Sequence, residues 1–346
     1  MNIFSKKFIY GVIVLIIIGL AFGYVVYGWI FHDNVNDDLE AEYIFIPDGS
    51  SYDDIFDILK DQKVLSDPAS FDRVADLMKY KKASVKSGRY FIEKHYSNRK
   101  IIQVLRSGSQ VPINVTFNNV RSIAELSGAV SEYIEPDSLS LLNYLQDPKT
   151  RSSRGFDEYN FMTLFIPNTY EFFWNTSKEG FLRRMESEHK KFWTENRLKK
   201  AEQLGLSKEE VYILASIVEK ESLKESEKDI IAGLYLNRLR RGIKLQADPT
   251  VVYGVGDFTI RRVLNKHLAH NSPYNTYMYA GLPPGPICMP NITTIDKTLN
   301  AAKHNLIYMC AKPGYGKEHN FAETDKQHVN NANKYRAWLD KEGIMK

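Results

Sequence analysis

The chain has 346 residues, of which 43% are hydrophobic and 25% are charged. This is an ordinary globular mixture, so the composition excludes a wholly disordered or fibrous protein, and the length predicts about two domains. The net charge of +4 is not concentrated in one segment, which argues against a nucleic-acid partner. The two cysteines, Cys288 and Cys310, are too few for a disulfide scaffold, and the sequence is compatible with one bridge or with two free thiols.

An uncharged segment near the N-terminus, residues 8–31, is long enough to cross a bilayer, since a helix rises ~1.5 Å per residue and the hydrocarbon core is ~30 Å thick. A cleaved signal peptide is the competing interpretation, but it needs a shorter apolar stretch and small residues at a cut site. Lys6 and Lys7 precede the segment, and an acidic linker at 33–41 follows it. The positive-inside rule therefore predicts a single-pass anchor in the cytoplasmic (inner) membrane, with residues 33–346 in the periplasm or on the extracellular face.

The next segment is predicted to form a small α+β module. Residues 43–47 and 88–92 have the pattern of strands, and two helices are predicted between them, one capped by Ser51 and one beginning at Pro68. This strand–helix–helix–strand order resembles a LysM-type module over residues 42–112. The resemblance implies glycan binding; a small spacer without a ligand is the alternative.

Several elements are predicted after this module. Apolar residues alternate with period two between residues 111 and 117, which predicts a strand. Ser122, with Glu125 three residues later, predicts the start of a helix. A single long charged helix is predicted from Ser177 to Gly205.

The stretch from residue 206 to residue 221 carries the first chemical signal. Ser207 and Glu210 form a capping-box pattern, and apolar residues follow at helical spacing. Glu221 falls in the same apolar stripe as Val218, whereas Glu219 points about 160° away at ~100° per residue. A carboxyl group on an apolar face loses hydration, which raises its pKa and lets it carry a proton at neutral pH. The alternative is that the helix ends here and Glu221 is solvated.

Residues 214–222, Leu-Ala-Ser-Ile-Val-Glu-Lys-Glu-Ser, resemble the signature helix of the endolytic murein transglycosylases, the YceG-like family. The resemblance continues in the same order through four further blocks, at residues 237–254, 274–277, 281–287 and 319–321. A weaker similarity covers nearly all of the chain after residue 42.

The resemblance implies that Glu221, immediately before Ser222, is the catalytic acid. The family cuts the bond from N-acetylmuramic acid to N-acetylglucosamine within glycan strands and leaves a 1,6-anhydro end. Ordinary glycosidases need a second carboxylate, whereas a lytic enzyme uses the muramyl 6-hydroxyl as an internal nucleophile. The implied partners are peptidoglycan glycan strands and peptidoglycan synthases. No cofactor is implied and no metal, since His304, His319 and His328 lack the spacing of a zinc site.

Polar and aromatic side chains of the same blocks are predicted to line the glycan groove. Gln246 can both donate and accept hydrogen bonds, and Asp248 precedes a proline, which predicts an extended loop that holds its carboxylate in place. Tyrosines offer faces for sugar rings, although tyrosines also serve as packing residues. The predicted substrate-binding residues are Glu219, Ser222, Gln246, Asp248, Tyr253, Tyr274, Asn275, Thr276 and Tyr277.

One segment departs from the family pattern. Met162, Thr163 and Asn168 stand where the family usually has Glu-Gly and, after the proline, Asp. This loop is therefore expected to contribute no acidic group to the site.

The predicted fold class is α+β: a single N-terminal transmembrane helix, a small LysM-like α+β module, and a mixed α/β catalytic domain. The predicted segments are a cytoplasmic stub and anchor at 1–32, the linker at 33–41, the module at 42–112 and the catalytic domain at 113–346. Two other functions stay open at this point. One is a hydrolytic muramidase in which Asp248 is the partner carboxylate of Glu221, and the other is a non-enzymatic glycan-binding scaffold of the wall-synthesis machinery.

Overall fold

The computed structural model describes residues 3–39 and 42–344, and side chains from residue 6 onward, so the last two residues of the predicted linker lie outside the described residues. The fold is α+β, as predicted. The chain divides into two compact units. The N-terminal unit comprises Met1–Asn114, Tyr133–Glu135 and Glu171–Ser177, and the C-terminal unit comprises Val115–Glu132, Pro136–Tyr170 and Lys178–Lys346. The boundaries drawn from the sequence at 42, 112 and 113 stay predictions.

The helices and strands follow one another along both units. Up to residue 114 they are α1 Ile3–Phe31, β1 Tyr43–Ile46, α2 Tyr52–Asp61, α3 Pro68–Leu77, β2 Gly88–Phe91 and α4 Asn98–Ser107. The chain continues with β3 Ile113–Phe117, α5 Ile123–Ser131, α6 Ser138–Gln146, α7 Pro148–Ser152, β4 Asn168–Phe172, α8 Lys178–Phe192, α9 Glu195–Leu204 and α10 Lys208–Glu221. It ends with α11 Lys228–Arg240, α12 Asp248–Val255, α13 Asn265–Leu268, α14 Ile292–Leu299, β5 Tyr308–Ala311, β6 His319–Ala322 and α15 Asp325–Lys341.

Helix α1 is long and apolar enough to cross a membrane. Within its segment Lys6–Phe31, an 18-residue window has a mean hydropathy of 2.7, and none of that window is buried inside the protein. The last turn is different, because Trp29 and Ile30 pack against the core of the N-terminal unit. Asn98 donates a hydrogen bond of 2.9 Å to the Trp29 carbonyl, and the Arg73 guanidinium lies 4.5 Å from the centroid of the Trp29 ring. The apolar helix therefore ends on folded protein rather than on a free linker.

The N-terminal unit has the predicted strand–helix–helix–strand order. Strands β1 and β2 pair antiparallel, with Ile44 opposite Tyr90, and both of these side chains are fully buried. The predicted caps are confirmed: Ser51 forms a capping box with Asp54 at the start of α2, and α3 begins with a proline. Helix α4 ends at Gly108, whose φ of 73° is the left-handed conformation that favours glycine at this position.

The C-terminal unit is built around α10. This helix packs against α11, α12 and α14, and Leu214, Ile217 and Val218 place its apolar stripe in the main core cluster. In the same unit, β5 pairs antiparallel with β6 in a two-stranded sheet. The buried stripe holds α10 against α11, and this packing determines where the end of α10 lies.

Two predictions about this unit are wrong. The single helix from Ser177 to Gly205 is two helices, α8 and α9, because Thr194 takes an extended conformation and its hydroxyl caps the amide of Arg197. Asp248 does not lie in an extended loop but is the first residue of α12. Pro249 tolerates this position because the amides of a first helical turn have no partner within the helix.

Candidate functional site

Helix α10 carries Glu221 at its last position. The helix begins with a full capping box, in which the Ser207 amide donates to the Glu210 carboxylate at 2.7 Å and the Glu210 amide donates to the Ser207 hydroxyl at 3.1 Å. It ends at Ser222, where the backbone becomes extended. The buried Ser222 hydroxyl donates to the Glu227 carboxylate at 3.1 Å, which fixes the residue next to Glu221. The backbone of Glu221 is therefore held on both sides.

The carboxyl group of Glu221 is half-buried and has a strongly perturbed pKa. Removal from water raises this pKa from its ordinary value near 4.5 to about 7, and the negative charge of Asp248 acts in the same direction. The phenol of Tyr235 donates a 2.7 Å hydrogen bond to Glu221 Oε1, which opposes the rise, as does the positive charge of Arg238. A carboxyl group with a pKa of about 7 holds a proton on a large fraction of molecules at neutral pH, as a general acid requires.

Glu221 faces a cavity of about 240 Å³. The walls come from α10, α11 and α12, the loops before α12 and after α13, and the strands β5 and β6. The lining residues are Glu221, Leu234, Tyr235, Arg238, Leu245, Gln246, Asp248, Tyr277, Met309, Cys310, Ala311 and His319. This cavity brings together three of the predicted groove residues with the predicted acid: Gln246, Asp248 and Tyr277.

These three residues are held by specific hydrogen bonds. The Tyr277 phenol donates to Asp248 Oδ1 at 2.6 Å, which fixes the carboxylate at the start of α12. Gln246 Oε1 accepts from Arg238 at 3.1 Å, and the backbone of Gln246 is in the left-handed region with a φ of 52°. A non-glycine residue in this conformation is uncommon and often marks a functional loop.

Tyr253 lines a second, larger cavity of about 750 Å³ that also includes Glu221 and Asp248. Its ring lies 4.6 Å from the ring of Tyr274, centroid to centroid. Tyr274 in turn lies beside Gly285, where an added Cβ would come 2.0 Å from the Tyr159 carbonyl oxygen and 2.9 Å from the Tyr274 hydroxyl. The proline-rich run at 281–287 therefore needs glycine at this position to approach so closely.

The other predicted groove residues do not line these cavities. Glu219 accepts hydrogen bonds from Lys228 at 3.2 Å, from Asn291 at 2.9 Å and from the hydroxyl of Thr294. Asn275 is 1% exposed and donates to two backbone carbonyls, and Thr276 is 2% exposed and accepts from the amide of Ala247 at 3.0 Å. Glu219, Ser222, Asn275 and Thr276 are thus engaged within the protein and support the loops around the cavity.

Three cavity residues with hydrogen-bonded polar side chains, Tyr235, Arg238 and His319, were not among the predicted site residues. Tyr235 is 1% exposed, and Arg238 is 7% exposed with hydrogen bonds to the carbonyls of Ile307 and Leu245 at 2.6 and 2.9 Å. His319 donates through its amide and its Nδ1 to the carboxylate of Glu227, at 2.8 and 2.9 Å. Arg238 and His319 lie within the blocks 237–254 and 319–321 that carry the family resemblance, and this was the available signal for them.

Among the described residues, the cysteines and histidines form no set of metal ligands. Cys288 is buried, Cys310 is half-buried, and both are free thiols. Over residues 3–39 and 42–344, no three His, Cys, Asp or Glu side chains are grouped so that they could hold a metal ion. Asn168, the departure from the family pattern, lies at the start of β4 and does not line either cavity beside Glu221.

Comparison with known proteins gives one family match and several similar proteins. The model of the YceG-like family matches residues 44–334. The endolytic murein transglycosylase of Bacillus subtilis strain 168 is 29% identical over 309 residues, which is 84% of this chain and 84% of the relative. The endolytic murein transglycosylase of Streptococcus pneumoniae serotype 2 is 24% identical over 366 residues, which covers 94% of this chain but 64% of that longer relative.

A solved structure is similar as well. The crystal structure of a YceG-like protein from Listeria monocytogenes superposes with a TM-score of 0.56 at 25% sequence identity, and the match covers 84% of this chain and 98% of that one. The family model spans far more than half of the sequence, including all of the residues around Glu221. The chain therefore belongs to the YceG-like family.

Proposed function

We propose that this chain is a membrane-anchored endolytic murein transglycosylase, with Glu221 as both acid and base. The observation that carries the proposal is a single half-buried carboxyl group, with a pKa raised to about 7, at the wall of a polar cavity. The names of the Bacillus and Streptococcus relatives support the same reaction class.

The reaction needs two proton transfers through one carboxyl group. Protonated Glu221 donates to the glycosidic oxygen while the bond from the muramyl C1 to that oxygen breaks, and N-acetylglucosamine leaves with a hydroxyl group. The muramyl 6-hydroxyl then attacks C1, and the Glu221 carboxylate accepts its proton as the anhydro ring closes. No water is consumed, and the enzyme returns to its starting protonation state.

The surrounding residues have defined parts in this scheme. Arg238 and the Tyr235 phenol stabilise the carboxylate of Glu221 that exists between the two steps. The carboxylate of Asp248, oriented by Tyr277, faces the same cavity and stabilises positive charge that develops at C1. Gln246 and Tyr253 offer hydrogen-bonding and ring surfaces to the sugars.

A hydrolytic muramidase is the second candidate, because Asp248 is a further carboxylate in the Glu221 cavity. Digestion of purified cell wall in ¹⁸O-labelled water, followed by mass spectrometry of the muropeptides, separates the two reactions. We expect 1,6-anhydro ends that lack ¹⁸O and resist borohydride reduction. Reducible ends that carry ¹⁸O would establish hydrolysis instead. Full cell-wall function of Glu221→Gln would favour the non-enzymatic scaffold.

We also propose that α1 anchors the enzyme in the cytoplasmic membrane, with the C-terminal unit outside the cytoplasm. The length and hydropathy of α1 and the position of Lys6 and Lys7 support this orientation. Fused after Lys346, a reporter that functions only outside the cytoplasm should be active, and one that functions only in the cytoplasm should be inactive. The opposite result would reverse the proposed topology. Cross-linking in intact membranes tests the expected contact with peptidoglycan synthases.

The LysM-like module is proposed to hold glycan. In support, the loop after β1 and the helix α2 border a hollow of about 610 Å³, whose lining includes Gly49, Ser50 and Gln62 and the carboxylates of Asp48, Asp54, Asp57 and Asp61. Gln62→Trp, which fills this hollow, should weaken sedimentation with insoluble peptidoglycan, whereas Lys60→Trp on the exposed side of α2 should not. Unchanged sedimentation of Gln62→Trp would make the module a spacer.

A further inference from the structure

The larger cavity beside Glu221 is rich in cations. It shares Glu221, Asp248 and Ala311 with the smaller cavity and extends away from them. The four basic side chains that line it are Arg121, Lys220, Arg261 and Arg262. We call the part of the cavity lined by these four residues the basic arm.

The charges of the basic arm are poorly neutralised within the protein. Arg121 has an acidic neighbour in Glu125, but the two groups are 3.9 Å apart and both are well exposed, a geometry in which ion pairs are weak. Lys220 donates to the uncharged amide oxygen of Asn119 at 2.6 Å. Arg261 and Arg262 are exposed and make no ion pair with any residue that the structure describes.

The acidic residues that line the same cavity lie at its catalytic end. They are Asp248 and Glu221, and the raised pKa of Glu221 keeps much of that group uncharged at neutral pH. Positive charge therefore dominates the rest of the cavity, which is the basic arm. Phe258 adds an apolar surface there and is covered by the Arg121 guanidinium, 4.5 Å from its ring centroid. Cations beside apolar surface suit an anionic peptide better than a neutral sugar chain.

The proposed substrate carries such a peptide next to the bond that is cut. The muramyl residue bears a stem peptide, and an uncross-linked stem ends in a free carboxylate. An extended chain spans ~3.3 Å per residue, so a stem of three to five residues reaches roughly 10–17 Å from the sugar. A stem that leaves the cleft beside Glu221 has the length to place its carboxylates among the arginines of the arm.

We propose that the basic arm binds the carboxylates of the stem peptide, so that the enzyme selects peptide-bearing glycan strands over bare ones. This inference rests on the proposed function, because it assumes that a muramyl residue is bound at Glu221. It assigns Arg261 and Arg262 to substrate selection and gives them no part in bond cleavage.

The test uses the full chain in nanodiscs of zwitterionic lipid and two substrates, peptide-bearing strands and strands from which an amidase has removed the stems. The double variant Arg261→Gln/Arg262→Gln is compared with Arg240→Gln/Arg241→Gln, two exposed arginines at the end of α11 that line neither cavity. We expect the first variant to raise KM for peptide-bearing strands about tenfold, with kcat unchanged and no effect on bare strands. The control variant should leave KM and kcat unchanged for both substrates.

Other outcomes overturn the inference. Equal loss on both substrates would mean that the arm contacts sugar, and no loss on either would mean that it binds no part of the strand. An effect that appears only in nanodiscs with anionic lipid would assign the arm to phospholipid headgroups. Strand binding by Glu221→Gln, with and without the double substitution, tests the arm without turnover. A further outcome is that the wild-type chain cuts neither substrate while strand binding still depends on Arg261 and Arg262. In that case the proposed function is wrong, but the assignment of the basic arm to strand binding is supported.

Discussion

The phenol of Tyr235 donates a 2.7 Å hydrogen bond to Glu221 Oε1, and it does so from a position that is almost fully buried. This bond favours the ionised carboxylate, whereas removal from water and the charge of Asp248 favour the protonated acid. The pKa of about 7 is the balance of these effects. Helices α10 and α11 thus bring an acid together with the group that moderates its proton affinity.

The first prediction concerns the pH dependence of turnover. Since Glu221 must be protonated to act as the acid, activity should fall as pH rises through about 7. Tyr235→Phe removes a hydrogen bond that lowers the Glu221 pKa, so the falling limb should move to higher pH. Asp248→Asn removes a charge that raises this pKa, so the limb should move to lower pH. Turnover of the wild-type protein and of the two variants is measured between pH 5 and pH 9. A shift of the falling limb in the same direction in both variants would contradict this account.

The second prediction concerns the identity of the acid. Glu221→Gln keeps the size of the side chain and an oxygen that accepts from Tyr235, but it removes the transferable proton. Turnover should fall by at least ~10²–10⁴, the usual contribution of general acid–base catalysis, while binding of intact strands is retained. Glu209→Gln, in the first turn of the same helix, is the matched control and should stay close to wild type. Similar turnover of the two variants would exclude Glu221 as the proton donor.

The third prediction concerns stability. Because the folded pKa of Glu221 lies above its ordinary value near 4.5, the folded protein binds the extra proton between about pH 4.5 and pH 7. The associated stability is fully present below pH 4.5 and is lost as pH rises through about 7. Glu221→Gln does not ionise, so it should be more stable than wild type at pH 8, by up to ~3 kcal/mol, and no more stable at pH 4. Chemical denaturation at both pH values measures the difference, and a gain of the same size at pH 4 would refute the explanation.

The fourth prediction concerns Glu219, which binds inside the protein rather than facing the cavity. Its partner Lys228 has a side chain that is 3% exposed, and Glu225 is the other carboxylate that Lys228 contacts. Glu219→Gln should therefore lower the free energy of unfolding by ~1–3 kcal/mol and leave kcat of the folded protein within tenfold of wild type.

A second variant checks the cause of that loss. Glu219→Gln/Lys228→Met removes both charges and should recover part of the stability. Unchanged unfolding of Glu219→Gln would mean that its bonds to Lys228 and Asn291 contribute little. A loss of turnover as large as that of Glu221→Gln would make Glu219 a candidate acid.

Local sequence signals predicted much of the secondary structure. The capping residues Ser51 and Ser207 each bond to an amide three residues away, so the information that starts these helices lies within a few positions. The uncharged segment at 8–31 and the apolar stripe that ends at Glu221 follow in the same way from residue spacing. Where the local signals were weak, the prediction failed, as at Thr194, where a capping hydroxyl interrupts a segment rich in charged residues.

The sequence by itself determined that Glu221 lies on an apolar helix face, because helical periodicity decides which residues share a face. Only the tertiary structure decided what surrounds this carboxyl group. Tyr235 is fourteen positions away, and His319 reaches the cavity from a strand nearly a hundred residues further on. Asn275 and Thr276, which the sequence made groove candidates, are buried by the packing of their loop. Contacts between distant segments arise from how the helices and strands pack, and residue spacing along the chain carries no record of that packing.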